Sequence, residues 1–164
     1  MKTLIDAEQK WQNEALESFF TMVKAPDGDF DAISQLSKTL NEPKSLKLSI
    51  EFVSRHQQGK QAFIERPRLG NVVFPQLLTL PQDTLGYAYA DHMTKNGLTQ
   101  LQASQVDNDY QFFLAHIRET HDLWHIVTGC DTSIIGEIQL EAFYVAQLYA
   151  SRFWLALLAK NLLK

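Results

Sequence analysis

Apolar side chains recur every three to four residues through most of this chain, the spacing of one face of an α-helix. Over residues 5–24 they fall at Trp11, Ala15, Leu16, Phe19, Phe20 and Val23. Ala25-Pro26-Asp27-Gly28-Asp29 then reads as a turn, and a short helix follows from Phe30 to Leu40 with Asp29 as its N-cap. Asn41 offers the next cap and Pro43 suits a first turn. The helix they open passes through Leu46, Leu48, Ile50, Phe52 and Val53 to about Gly59. Residues 64–80 carry two prolines and read as loop or short turns. Pro81 opens a further helix through Leu85, Tyr87, Ala88, Tyr89 and Met93, which Asn96-Gly97 ends. A polar connector over 98–107 leads to a helix capped by Asp107 or Asn108 and closed by Gly129. Thr132 or Ser133 caps a last long helix from about 134 to 161. No Val/Ile/Thr-rich alternation bounded by turns is present, so no sheet is expected. The pattern predicts an all-α, single-domain helical bundle of about five to six helices over residues 1–164.

Composition narrows the class. A chain of 164 residues is long enough for one domain with a sizeable core. Apolar content of 45% and charged content of 21% mark it as globular. A net charge of −4 with no basic run argues against nucleic acid as a partner. Cys130 is the single cysteine, so no intramolecular disulfide forms and a reducing compartment is expected. The first residues lack the apolar core of a signal peptide, and Asp6 and Glu8 do not suit a transit peptide. The most apolar stretch, 142–159, is interrupted by Gln147, Ser151 and Arg152, which fits a core or interface helix better than a membrane span.

The chemistry concentrates in residues 118–141. A helix turns about 100° per residue, so with His121 at the origin His125 falls near 40°, Arg118 near 60° and Asp122 near 100°. Around them stand Phe112, Phe113, Leu114, Ile117, Leu123, Trp124, Ile126 and Val127, a helix apolar nearly all round and therefore expected to be buried. Two imidazoles and a carboxylate are costly to bury uncompensated, and a metal cation compensates all three. The next helix packs antiparallel across a tight break and brings Glu137 back towards His125, with Glu141 one turn on and Tyr144 nearby. The expected metal site thus lies between the last two long helices. Mixed nitrogen and oxygen ligands suit Zn, Fe(II), Mn or Co, and the set does not choose among them. Arg118 and Glu141 are the candidate catalytic groups. A buried Arg118 needs an anion, either a carboxylate or phosphate on a ligand or a salt bridge to Glu141 or Glu137. His56 reads as solvated, His92 as a helix-surface residue, His116 as a satisfied core or interface histidine, and Cys130 is given no role. The zincin pattern fails because Asp122 stands where it needs Glu. The His-Asp phosphohydrolase pattern fails for want of an Asp after Asp131, and the di-iron pattern because no Glu stands three residues before either histidine.

His121-Asp122-Leu123-Trp124-His125, followed after eleven residues by Glu137, resembles the His-Asp-x-x-His-x11-Glu signature of the Coq-four family of coenzyme Q (ubiquinone) biosynthesis proteins. Arg118, Gly129, Gly136 and Glu137-Ile138 fall where that family has such residues. Glu65-Arg66-Pro67-Arg68-Leu69, Leu80-Pro81 with Leu85-Gly86-Tyr87-Ala88-Tyr89, and Val106-Asp107-Asn108-Asp109 resemble further family segments. The resemblance is specific from about residue 65 to 147, and the family's usual portion beyond the last helix is expected to be missing.

The resemblance implies an all-helical protein that binds a divalent metal through His121, Asp122, His125 and Glu137. Glu141 is not a ligand position in the family. It implies a role in quinone biosynthesis, with a polyprenylated hydroxybenzoate-type ring or a prenyl phosphate as ligand. Two readings stand side by side: a metalloenzyme of oxidative decarboxylation at ring carbon 1, and a non-catalytic prenyl-lipid-binding or scaffold protein. A structural-metal domain without a ligand is a third. Other quinone-biosynthesis proteins and peripheral membrane contact are the implied partners. The expected location is the cytoplasm, at the inner face of a bacterial membrane. Phe112, Trp124, Phe143, Tyr149, Phe153, Trp154 and Leu157 offer more apolar area than two helices need, for a homodimer interface or an isoprenoid groove.

Overall fold

A computed structural model of the chain describes residues 2–26, 29–41, 43–100, 105–149 and 152–163. Among them it has nine α-helices and no strand: α1 (Lys2–Lys24), α2 (Phe30–Leu40), α3 (Pro43–Val53), α4 (Gln57–Glu65), α5 (Phe74–Leu77), α6 (Leu85–Lys95), α7 (Asp109–Thr128), α8 (Ile134–Gln147) and α9 (Arg152–Leu162). No described helix is long and apolar enough to cross a membrane.

The all-α class stands, and the helix count exceeds the five to six expected for local reasons. The helix expected to run from Pro43 to Gly59 is cut after Val53. There the bonds tighten from i−4 to i−3, with Arg55 N–H to Phe52 O and His56 N–H to Val53 O both at 3.2 Å. Gly59 does not end a helix but sits inside α4, against the Val53 carbonyl, where a Cβ would collide. Residues 64–80 hold the one-turn α5, with a proline at its start. The next helix opens at Leu85 and not at Pro81, because the Thr84 hydroxyl caps it by accepting from Tyr87 N–H at 3.3 Å. The last long helix is two helices. The Leu148 N–H still reaches Tyr144 O, and then Tyr149 takes a left-handed φ of 60°, outside helical geometry. The caps read at Asp29, Asn108, Ser133 and Gly129 are present. Asp29 accepts from Asp31 and Ala32 N–H, Asn108 from Gln111 N–H, and Ser133 from Gly136 N–H. Gly129 closes α7 at φ 72°.

The chain forms two compact units, and α3 and α8 each contribute to both. The first comprises residues 1–49 and 141–164. Its core is Met22, Ala32, Leu36, Leu40, Phe153 and Leu157, with Trp11, Phe19, Ile33 and Trp154 against it. The Trp11 indole N–H donates to Thr39 O at 3.1 Å, tying α1 to α2. Near the end of this unit the buried Glu141 carboxylate accepts from Asn161 Nδ2, and Asn161 Oδ1 in turn accepts from Lys160.

The second unit, residues 50–140, carries the metal-motif helix. The first half of α7 buries Phe112, Phe113, Ala115 and Ile117. Phe63 of α4 meets Phe112 edge-on at 5.5 Å and Phe113 at 6.3 Å. Burying each such ring is worth roughly 1.5–3 kcal/mol. The segment after α4 is strapped along α7 by polar contacts. Arg66 pairs with Asp109 at 2.9 Å, and the Pro67 carbonyl lies 3.3 Å from His116 Nδ1. Arg68 forks onto both oxygens of the buried Glu119, which also accepts from Leu69 N–H. These contacts fix the register of α7 two residues before His121.

Candidate metal centre

His121 and His125 stand one turn apart on α7, and Glu137 lies in the first turn of α8. The intervening reversal is short and tightly bonded. Gly129 supplies the left-handed residue, and the Ser133 backbone and hydroxyl both donate to the Asp131 carboxylate. Gly136 is packed against the Asp131 carbonyl and carboxylate so closely that a Cβ there would overlap both. This turn swings Glu137 back over α7. His125 Nε2 lies 3.2 Å from His121 Nε2 and 3.2 Å from Glu137 Oε1, and His121 Nε2 lies 3.8 Å from Glu137 Oε2. One potential ligand atom from each residue falls within 4.8 Å of the others.

The arrangement fits a metal ion. Ligands held tetrahedrally at roughly 2.0–2.2 Å from a zinc-sized ion stand about 3.4 Å apart, close to the separations found here. The Nδ1 of His125 faces the Cys130 carbonyl at 3.0 Å, so it is the donor and leaves Nε2 turned to the trio as a lone-pair ligand. A carbonyl on the far nitrogen is a common partner of a metal-bound histidine. Three protein ligands leave room for a further one, the mark of a site that takes a substrate.

Electrostatics divide the two imidazoles. Desolvation holds His121 below its ordinary pKa, against the opposing pull of Glu137. Desolvation also works against the charged form of His125, but the bond and charge of Glu137 and the Cys130 carbonyl outweigh it and raise its pKa.

The other sequence candidates fall elsewhere. Asp122 is half-buried and outside the trio, but its charge is felt at His121, His125, His92 and Tyr89. Arg118, expected as a buried guanidinium, is exposed, between the buried Ile117 and Glu119. Glu141 is buried at 5% exposure in the first compact unit, with Asn161 on its carboxylate. His56 is exposed and His116 is half-buried against Pro67 and Phe112, as read.

Two residues were missed. His92, read as a helix-surface group, is half-buried and stacks on His125 at 6.0 Å with the planes 19° apart. Tyr89, one turn earlier on α6, is 2% exposed. Their i, i+3 spacing was the available signal. The Cys130 carbonyl, a backbone group, had none.

An all-helical fold with two histidines and a glutamate converging across an α7–α8 reversal defines the class of protein. Residues 2–164 match the family described as "Coenzyme Q (ubiquinone) biosynthesis protein Coq4", and the chain belongs to that family. It is 30% identical over 119 residues to the mitochondrial ubiquinone biosynthesis protein COQ4 of Uncinocarpus reesii, covering 69% of this chain and 43% of that one. The mitochondrial COQ4 homolog of Aedes aegypti is also 30% identical, over 117 residues, covering 68% and 42%. The chain thus spans about two fifths of the length of these curated relatives. A crystal structure of a candidate ubiquinone biosynthesis protein from Nostoc punctiforme superposes with a TM-score of 0.78 at 25% identity, covering 93% of this chain and 72% of that one.

Proposed function

We propose that this member of the ubiquinone biosynthesis family binds a divalent metal through His121, His125 and Glu137 and holds the oxygenated head of a polyprenylated hydroxybenzoate-type ring beside it. The observation that carries the proposal is the convergence of two Nε2 atoms and one carboxylate, with the His125 tautomer fixed by the Cys130 carbonyl. When bound, the ion supplies Lewis-acid stabilisation of charge on a ring or carboxylate oxygen, and iron or manganese adds redox capacity. The chain's own contribution is placement. His125 is locked by its backbone partner, Glu137 is fixed by the Gly136 turn, and Asp122 adds negative charge beside the trio without joining it. Arg118, exposed one turn before His121, offers a guanidinium to an anionic head group.

The reaction that suits such a site is oxidative decarboxylation at ring carbon 1. A ring carboxylic acid, dioxygen and water give a phenol, carbon dioxide and hydrogen peroxide. The ring–carboxyl bond breaks, a carbon–oxygen bond forms, and two electrons pass to dioxygen. The non-catalytic alternative, binding of the prenylated ring for other quinone-biosynthesis proteins at a membrane face, uses the same site without turnover. The test is incubation of metal-loaded protein with 3-geranyl-4-hydroxybenzoate and dioxygen. Carbon dioxide release that Glu137→Gln abolishes supports the enzyme; saturable binding without release leaves the binding role and removes the decarboxylase.

A further inference from the structure

We propose that Tyr89 and His92 of α6 form a pair of hydrogen-bond donors that grips an oxygen of the aromatic head group beside the His121–His125–Glu137 trio. The inference rests on the reading of that trio as a metal centre for an oxygenated ring. Its independent footing is two polar atoms that the fold leaves unused. The Tyr89 side chain is 2% exposed, and its hydroxyl has no hydrogen-bond partner among the described residues. His92 Nε2 is buried and likewise unpartnered among them. Folded proteins hold few such atoms, and each calls for an explanation. Here the two lie one helical turn apart on a single face of α6; His92 stacks on His125, and the charge of Asp122 is felt at Tyr89.

The protonation of both groups follows from their neighbours. Asn96 Nδ2 stands 3.5 Å from His92 Nδ1, and an amide nitrogen can only donate. This contact favours the tautomer in which Nδ1 accepts and Nε2 carries the ring proton. Burial raises the pKa of Tyr89, with the Asp122 charge adding to the rise, so the phenol keeps its proton. The pair thus offers one phenol O–H and one imidazole N–H. Two donors select an acceptor: a carbonyl, phenolate or carboxylate oxygen. The surroundings are flat rings. His92 stacks on His125, and Phe74 meets Tyr89 edge-on at 5.6 Å with the planes 83° apart. Such walls suit a planar aromatic head.

The experiment is calorimetric titration of 3-geranyl-4-hydroxybenzoate into wild type, Tyr89→Phe and His92→Phe, each metal-free and cobalt-loaded, together with thermal unfolding of the free proteins. Each variant should keep wild-type cobalt content and bind the probe about tenfold more weakly, the loss of one hydrogen bond to an ionised oxygen. The weakening should persist without metal. Tyr89→Phe should unfold at a temperature no lower than wild type, because it removes an unpaired buried hydroxyl. Equal affinity in all three proteins, or no affinity in wild type, overturns the donor pair. A lower unfolding temperature of Tyr89→Phe with unchanged affinity also overturns it, because the hydroxyl then serves the fold. If wild type takes up no cobalt while both variants still weaken the probe, the metal reading fails and the donor pair stands.

Discussion

Replacing Arg68 by Leu removes a fork of two hydrogen bonds from a carboxylate that has almost no other support. The Glu119 side chain is 4% exposed and the Arg68 side chain 23%. Once Arg68 is gone, the Leu69 N–H at 3.3 Å is the one hydrogen-bond donor left to the carboxylate among the described residues. Leaving one member of a buried pair costs about 3–5 kcal/mol, and the partial exposure of Arg68 places this case at the lower end, about 3 kcal/mol. For a chain of this size that lowers the unfolding temperature by roughly 6–12 °C. The double variant Arg68→Leu/Glu119→Leu should recover at least half of the loss, because two apolar groups leave no charge stranded. The assay is urea unfolding followed through Trp124, which lies in the same compact unit, in a Trp11→Phe/Trp154→Phe background. The pair also sets a pH dependence. The Arg68 bond holds Glu119 below its ordinary 4.5. Its contribution is therefore complete above that value and is lost as pH falls through the lower, folded-state pKa. Glu119→Leu should flatten this acid limb. A loss under about 1 kcal/mol for Arg68→Leu, or a double variant as unstable as the sum of the singles, would refute the buried-pair argument.

Gly136→Ala should destabilise the α7–α8 turn and lower metal uptake together, because its Cβ meets Asp131 and the relief must displace Glu137; thermal unfolding and elemental analysis check it. Asn108→Ala should cost about 1 kcal/mol of stability by removing the α7 cap while metal content per folded chain stays unchanged, since the cap lies three turns from His121.

Much of this molecule was legible in its sequence because helices declare themselves locally. The caps at Asp29, Asn108 and Ser133 and the left-handed Gly129 fall where polar side chains and glycine suit those backbone positions. The breaks that were missed have no local punctuation. Val53 to His56 contains neither Gly nor Pro, and the cut shows in the structure, in the i−3 bonds of Arg55 and His56 and the approach of Gly59 to Val53. Tyr149 in the left-handed region is a poor sequence signal for a helix end, yet the break lets Phe153 and Leu157 enter the core built by Met22 and Leu36. At the site, the α7 spacing placed His121 and His125 together, and the capping residues brought Glu137 to them. The same wheel misplaced Arg118, and His92, read as a helix-surface residue, was missed. A wheel gives angles on one helix and not which neighbour covers each arc: Arg118 is left to solvent, and His92 of α6 is stacked on His125 of α7.

The central claim is that His121, His125 and Glu137 hold a metal ion. Elemental analysis of purified protein after dialysis against zinc, beside His121→Ala, His125→Ala, Glu137→Gln and Asp122→Asn, tests it most directly. The account predicts about one ion per wild-type chain, in keeping with a three-ligand site. It predicts a collapse of metal content in the first three variants and a smaller loss in Asp122→Asn, which lies outside the trio. Equal metal in all five proteins, or none in folded wild type, would contradict it.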